Sequence, residues 1–435
     1  MRDRGITPGK AVPTAAAAAA RRGMLPSLLA FLARFMAPAR IPYSLADLMQ
    51  ATVPGYDNIR FYADMSQAEL NAKRQQFLPQ SSGPDGRASW LALSSGGAGG
   101  AFGAGILTGW SERGDRPKFD LVTGVSAGAL IAPFAFIGSK ADRELASLFT
   151  GVSVAKLNHS RSLLSGIFGQ SAIPAKPLRT LIDAHVDADL IQIIAARHRA
   201  GARLLVVTTN LDAQRSVVWD IGAIACSDRP NGLQLIGDVL EASASLPAIF
   251  PPVKIAVSGN GKVFDELHAD GGTIRQIYLL PDAFLDVAIS CKAPPDIYCI
   301  VNSELAPRFS VVPQQSIQIA ERALSSLEKS GAARSVAELA TFARQAKATF
   351  RLAFIDRTIP VDRRVPFDPG FMQRAYALGQ SKGRAGIWAF GPPVGTDLLE
   401  DNGARYRCLI KRAASMLPRS AALSETQPSV GVEHR

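Results

Sequence analysis

Residues 119–128 read Phe-Asp-Leu-Val-Thr-Gly-Val-Ser-Ala-Gly, and an apolar run of helical length continues from there to Ile137. The first five residues form a short apolar segment, which predicts a buried strand. Gly124 and Gly128 stand two residues before and two residues after Ser126, and glycines at this spacing relieve crowding in a tight turn. A serine at such a turn lies at the N-terminus of the next helix, where the helix dipole favours developing negative charge. The segment therefore predicts a strand–turn–helix unit with Ser126 as a candidate nucleophile.

Strand-like and helix-like patterns alternate on both sides of this unit, from residue 88 to residue 290. Further strands are predicted at Trp90–Ser94, Arg203–Thr209 and residues 297–302, and helical stretches at 104–110 and at 314–352 with a break at Gly331. Alternation of this kind indicates an α/β fold with a mainly parallel central sheet.

The same patterns divide the chain into five parts. They are a flexible basic and apolar tail (1–40), a helical N-terminal extension (41–87), a catalytic core (88–290), a largely helical C-terminal part of the same domain (291–400) and a C-terminal tail (401–435).

The N-terminal tail combines basic residues with a short apolar run over residues 24–36. A signal peptide, an interfacial amphipathic helix and an untargeted tail are three interpretations that stay open, because Arg34 interrupts the apolar run. The compartment therefore stays unassigned: periplasmic, secreted or membrane-associated under the first two interpretations, and cytoplasmic under the third.

Composition narrows the class of protein. With 47% hydrophobic and 20% charged residues the chain suits a globular fold, and its net charge of +11 favours anionic partners such as a membrane surface. No Lys/Arg-rich block with interleaved aromatic residues is present, so we expect no nucleic acid partner. No apolar run is long enough to predict a membrane-spanning helix.

The four cysteines include no Cys-x-x-Cys pair, which argues against a zinc or redox motif. Cys291 and Cys299 flank Pro294-Pro295, so a turn there would bring them together as a disulfide. Two unrelated buried thiols are the alternative.

A glycine-rich stretch, Ser95-Gly-Gly-Ala-Gly-Gly100, follows the predicted strand at 90–94. Consecutive small residues let backbone N–H groups point into a common space and stabilise an oxyanion. Phosphate-binding motifs do not fit, because no Gly-Lys-[Ser/Thr] ending is present and the third dinucleotide-binding glycine would fall on Phe102. Close packing of a helix on a strand is the alternative explanation for these glycines.

A serine nucleophile needs a base. The chain has only five histidines, at positions 159, 185, 198, 268 and 434, and a Ser, acid, His order would leave only His434 in the C-terminal tail. A carboxylate base is therefore favoured, with Asp270 in Asp270-Gly271-Gly272 as the best candidate. Taken alone, this tripeptide is also typical of an ordinary turn.

Four motifs in this order resemble the patatin-like phospholipase family. They are the glycine-rich loop (93–102), the segment around Ser126 (119–130), the segment Ala242–Val253 and the Asp-Gly-Gly motif at Asp270. The resemblance implies a three-layer α/β/α fold and a Ser–Asp dyad without a catalytic histidine, a metal or a cofactor.

For this chain the resemblance implies Ser126 as nucleophile and Asp270 as proton acceptor. It also implies that backbone N–H groups of Gly96, Gly97 and Ala98 form the oxyanion hole, and that the substrate is a lipid or another acyl ester. Ser95 replaces the first glycine of the family's loop, and Gly99 replaces a basic residue near its end. An acyltransferase with the same dyad, and a catalytically idle lipid- or nucleotide-binding module, are the alternatives.

Overall fold

A computed structural model describes residues 40–80, 86–150, 175–247, 249–285, 294–361, 365 and 367–391. Predictions that concern residues 1–39, residues 401–435, His159, His434 and Cys291 lie outside the described residues.

Nine strands and twelve α-helices are described, in an order that alternates through most of the chain. The strands are β1 (Arg60–Tyr62), β2 (Ser89–Leu93), β3 (Leu121–Val125), β4 (Arg203–Asn210), β5 (Arg215–Asp220), β6 (Val253–Gly259), β7 (Lys262–Asp270), β8 (Asp296–Val301) and β9 (Thr349–Phe354). The helices are α1 (Leu45–Met49), α2 (Gln67–Phe77), α3 (Gly100–Arg113), α4 (Ala127–Ile137), α5 (Asp142–Thr150), α6 (Ala175–Asp183), α7 (Ala188–Arg199), α8 (Ile221–Cys226), α9 (Gly232–Ala244), α10 (Asp282–Leu285), α11 (Ser316–Gln345) and α12 (Pro369–Ala385).

One mixed sheet joins all nine strands. Its path is β1-β5-β4-β3-β2-β8-β9, and the β6–β7 hairpin attaches through β7 to β4. The pairs β4–β3, β3–β2, β2–β8 and β8–β9 are parallel, whereas β1, β5, β6 and β7 pair antiparallel. The carboxyl ends of the parallel strands therefore meet at one edge of the sheet, where ligands bind in folds of this kind.

The core has two parts, one on each face of the sheet. Side chains alternate along a strand, so Leu91 and Leu93 of β2 belong to one buried cluster while Trp90 and Ala92 belong to the other. Helices α3, α4, α7, α9 and α12 contribute to the first cluster, and α2, α10 and α11 to the second. This arrangement confirms the predicted three-layer α/β/α fold with a mainly parallel centre.

Two predicted segments contain strands that the patterns did not reveal. The stretch 41–87 is not purely helical, because β1 pairs with β5 at one edge of the sheet. The stretch 314–352 does not stay helical, because β9 forms the opposite edge against β8. Helix α11 continues through Gly331 without the predicted break. A Cβ at this position would lie 3.0 Å from Cγ of Gln276, so the glycine lets the helix approach that side chain.

The N-terminal part of the described chain is tied to the core by buried charges. Arg60 of β1 pairs with Glu266 of β7 at 2.5 Å, and Nε2 of His268 lies 2.9 Å from the same carboxylate. Burial opposes ionisation of Glu266, but the hydrogen bonds from His268 and Arg60 outweigh it and lower the pKa of Glu266 to about 2. A buried ion pair therefore joins β1 to β7.

Within the described ranges, no helix has both the length and the apolar character needed to cross a membrane. Cys299 is a free, buried thiol in β8, and burial raises its pKa to about 12.

Candidate active site

Ser126 lies in the tight turn between β3 and α4, as the sequence predicts. Its backbone has φ 57° and ψ −121°, a conformation that non-glycine residues rarely adopt. A Cβ on Gly124 would lie 2.5 Å from the carbonyl oxygen of Gly128, and a Cβ on Gly128 would lie 2.6 Å from the carbonyl oxygen of Ser94. Both glycines are therefore required by close approach of backbone to backbone.

The strained turn is held by Ser243 of α9. The Ser126 amide donates a 3.0 Å hydrogen bond to Oγ of Ser243, and that hydroxyl donates a 2.6 Å bond to the carbonyl oxygen of Val207 in β4. Ser243 is fully buried, so the bridge is shielded from water. The sequence pattern includes Ser243 in the segment 242–253 but gives it no role.

Asp270 is the last residue of β7, and its side chain meets Ser126. Oγ of Ser126 donates a 2.5 Å hydrogen bond to Oδ2 of Asp270, and the Gly272 amide donates a 2.7 Å bond to Oδ1. Two hydrogen bonds also fix the Asp270 backbone. Its amide donates to the carbonyl oxygen of Ser245, and its carbonyl oxygen accepts from the hydroxyl of Thr209. Two hydrogen bonds to the carboxylate and two to the backbone therefore orient the Asp270 side chain toward Ser126.

Burial changes the acidity of Asp270. Loss of solvent and, to a smaller extent, the nearby charge of Glu328 raise its pKa to about 7, against the opposing hydrogen bonds from Ser126 and from the Gly272 amide. A carboxyl group with this pKa accepts a proton near neutral pH far more readily than an exposed one.

The glycine-rich loop forms a 3₁₀ turn at Gly97–Gly99 beside Ser126. Gly96 and Gly97 have φ values of 155° and 52° and line the same cavity as Ser126 and Asp270. Neither amide donates a hydrogen bond to another described part of the chain. Ala98 follows them, and its side chain packs partly buried against the main core.

Ser95 links the glycine-rich loop to the Asp270 loop. Its hydroxyl donates to Oε1 of Gln276, and the Gln276 side-chain amide donates a 2.6 Å bond to the carbonyl oxygen of Gly272. The Ser95 amide also bonds the carbonyl oxygen of Gln276, at 2.9 Å. The serine that departs from the family pattern thus ties together the two loops that surround Ser126. Sequence reasoning gave no signal for Gln276.

Gly99 has a steric explanation. A Cβ at this position would overlap the carbonyl oxygen of Asn302, which follows β8. Asn302 in turn donates to Ser94 through its backbone amide and its side-chain amide, at 2.8 and 2.7 Å. The loop is therefore pressed against β8, and no side chain fits where the family has a basic residue.

These residues open into a cavity of about 570 Å³. Ser126, Asp270, Gly96, Gly97 and Gly272 lie on its wall. Most other lining side chains are apolar, among them Leu130, Leu148, Phe149, Leu181, Phe250 and Met372. Gly271 does not line it; a Cβ there would overlap the carbonyl oxygen of Val207, so this glycine lets the Asp270 turn approach β4.

The three histidines of the described ranges lie away from Ser126 and Asp270. His268 is buried against Thr208 and Glu266, His198 lies 3.4 Å from Asp220, and His185 lies 3.5 Å from Glu144. None of the three lines the cavity. Where the chain is described, no group of three or more His, Cys, Asp or Glu residues is arranged to hold a metal ion.

Known proteins similar to this chain include one family and one solved structure. Residues 91–280 match the family model described as patatin-like phospholipase. A solved structure, VipD from Legionella pneumophila, aligns at 15% identity over 71% of this chain and 69% of that chain, with a TM-score of 0.35. No curated protein matches the chain. Residues 91–280, which include both Ser126 and Asp270, are therefore similar to the patatin-like phospholipase family.

Proposed function

We propose that the protein hydrolyses acyl esters of lipids with Ser126 as nucleophile and Asp270 as general base. The observation that carries the proposal is the 2.5 Å hydrogen bond from Oγ of Ser126 to Oδ2 of Asp270 on the wall of an apolar cavity. A nucleophile within hydrogen-bonding reach of its base is the arrangement that covalent catalysis requires.

In the first half of the reaction, Oγ of Ser126 attacks the ester carbonyl carbon while its proton passes to Asp270. The carbonyl oxygen becomes an oxyanion, and the amides of Gly96 and Gly97, with Ala98 next in the turn, are the proposed donors to it. Collapse of the tetrahedral intermediate breaks the bond to the alcohol, which leaves with the proton from Asp270. Ser126 then carries the acyl group as an ester.

In the second half, Asp270 accepts a proton from water, and the resulting hydroxide attacks the acyl-enzyme. Release of the fatty acid returns the proton to Ser126. A single carboxylate serves both steps because burial raises the pKa of Asp270 to about 7, which suits proton transfer in both directions near neutral pH. The apolar lining of the cavity suits the acyl chain of a lipid, as the similarity to the family implies.

The test uses the full chain with 4-nitrophenyl butyrate and two variants. We expect Ser126→Ala and Asp270→Asn each to lower kcat by at least about 1000-fold, because each removes a group on which the whole catalytic unit depends. A fluorophosphonate probe should label the unmodified protein and leave Ser126→Ala unlabelled. Ester turnover that persists in Ser126→Ala would overturn the assignment of the nucleophile, and unchanged turnover in Asp270→Asn would overturn that of the base.

The same assay separates the alternatives. Adding an alcohol acceptor such as glycerol distinguishes transfer from hydrolysis, since a hydrolase releases free fatty acid as the main product. Absence of both turnover and labelling in the unmodified protein would favour the alternative of a catalytically idle binding module with this fold.

A further inference from the structure

The cavity holds a second carboxylate that no step of the proposed reaction uses. Glu328 of α11 lines the cavity together with Ser126 and Asp270. Residues three apart lie on the same side of a helix. Gly331, three residues later, packs against Gln276, the residue that bridges Ser95 and Gly272. The side of α11 that carries Glu328 therefore faces the catalytic loops.

Glu328 has no neutralising neighbour among the residues that the structure describes. Its carboxylate has no hydrogen bond or ion pair with any other residue in the described ranges. It is half-buried, and loss of solvent raises its pKa above the usual range. Its charge also reaches Asp270, because it contributes to the raised pKa of that residue.

The charges around the cavity are unbalanced. The described lining residues include two carboxylates, Asp270 and Glu328, and a single ammonium group, Lys329. Nζ of Lys329 lies 3.2 Å from Glu304 and donates a 3.0 Å bond to the carbonyl oxygen of Ala306, so its charge is already paired. Gly99, where the family has a basic residue, adds no cation.

We propose that Glu328 determines headgroup specificity: it disfavours acyl esters whose headgroup carries a net negative charge, and it favours neutral or quaternary-ammonium headgroups. This inference rests on the proposed function of Ser126 and Asp270. The physical reason is that a half-buried, unpaired carboxylate repels an anion and attracts an ammonium ion more strongly than an exposed one does. Specificity then arises from repulsion of the wrong substrate as well as from attraction of the right one.

The test compares three lipids with the same acyl chain in neutral detergent micelles at pH 8. They are lysophosphatidylcholine, monoacylglycerol and lysophosphatidylglycerol. The variant Glu328→Gln keeps the size of the side chain and removes its charge. Glu321→Gln, an exposed position on the same helix outside the cavity lining, makes the same change in net charge and is the matched control.

We expect the unmodified protein to hydrolyse lysophosphatidylcholine with a higher kcat/KM than lysophosphatidylglycerol. Glu328→Gln should reduce this preference in kcat/KM by about tenfold, the size of one charge interaction at intermediate dielectric. Glu321→Gln should leave the ratio within about twofold, as expected for a screened surface charge. Glu328→Lys should reverse the order of the two lipids.

A second readout separates a charge effect from a structural one. The titratable groups that face Asp270 across the cavity are Glu328 and Lys329, both on α11. Because the charge of Glu328 raises the pKa of Asp270, Glu328→Gln should move the acidic limb of the monoacylglycerol pH profile to lower pH. A merely structural role would lower the rate without moving this limb.

The outcomes distinguish failure of the specificity assignment from failure of the proposed function. Headgroup ratios that stay the same in both Glu328 variants, with turnover that still depends on Ser126, would overturn the specificity assignment alone. Turnover that does not depend on Ser126 would overturn the proposed function first. Complete labelling of Glu328→Gln by the fluorophosphonate probe verifies that the variant retains a reactive Ser126.

Discussion

Ser126 adopts a backbone conformation that costs about 1–3 kcal/mol for a residue with a side chain. Three features sustain it: glycines on both sides, the bridge from Ser243 to β4, and the start of α4 directly after it. Fixing the turn places Oγ in one position, so the proton it shares with Asp270 is aligned before a substrate arrives. Orientation set in advance lowers the barrier without a cost during the reaction.

The acidity of Asp270 leads to a prediction about pH. As a general base Asp270 must be ionised, and burial raises its pKa to about 7, so kcat/KM should rise with pH through about 7 and then level off. At pH 6 the rate on a neutral ester should be about one tenth of the plateau, as a single ionisation predicts. The measurement is a pH profile with 4-nitrophenyl butyrate between pH 5 and pH 9. A limb near pH 4, where an exposed carboxyl titrates, would contradict the raised pKa.

Ser126 and Asp270 were predictable because each lies in a short motif whose glycines are local requirements of the backbone. Ser243, Gln276 and Asn302 were not, because each contacts partners far away in sequence, and Glu328 was not, because only the fold brings α11 to the cavity. Ser95 and Gln276, for example, are 181 positions apart and meet only after β2 and β7 have joined the same sheet. Side-chain pairs of this kind depend on strand order, which local patterns do not contain.

At the scale of elements, the junction between the glycine-rich loop and β8 leads to a prediction. Gly99→Lys restores the basic residue of the family, yet its Cβ would overlap the carbonyl oxygen of Asn302. We expect Gly99→Lys and Gly99→Ala to lower the free energy of unfolding by about 1–3 kcal/mol, the usual cost of overpacking, and to lower kcat through displacement of Gly96 and Gly97. Urea unfolding and ester turnover measure the two effects.

The pair of variants separates crowding from charge. If crowding dominates, Gly99→Lys and Gly99→Ala should lose equal amounts of unfolding free energy and of kcat. A gain in turnover with Gly99→Lys alone would contradict the crowding explanation. Gly232→Ala is the control, because a Cβ there would make only ordinary contacts, at 3.7 Å or more, at the start of α9.

Strands were predictable where a local run of apolar residues marks them. Strands β2, β3, β4 and β8 were predicted within about two residues of their ends, since each is a run of buried apolar residues. β1 has three residues and β9 has six, and both lie at the edges of the sheet. Edge strands are less completely buried, as the alternating burial of β9 shows, so long-range pairing rather than local pattern determines them.

At the scale of the whole molecule, the described chain is joined across the sheet from its first residues. Arg40 bonds Asp212 and the carbonyl oxygen of Asp265, and Arg60 pairs with the buried carboxylate of Glu266. Breaking a buried ion pair costs far more than breaking an exposed one. Arg40, the first described residue, is therefore held to the sheet by these contacts.

The last prediction concerns membrane attachment through the residues that precede Arg40. Residues 1–39 carry Arg2, Arg4, Lys10, Arg21, Arg22 and Arg34 around an apolar run, and basic residues near an anionic surface contribute about 1 kcal/mol each. The described lining of the site cavity, which includes Ser126 and Asp270, comes from residues between Ser95 and Met372. Deleting residues 1–39 should therefore weaken binding to vesicles of mixed phosphatidylcholine and phosphatidylserine, while turnover of 4-nitrophenyl butyrate stays unchanged. Cosedimentation measures the binding, and vesicles of phosphatidylcholine alone are the control for charge. Equal binding of the full and shortened chains to the anionic vesicles would show that attachment, if present, comes from the folded part.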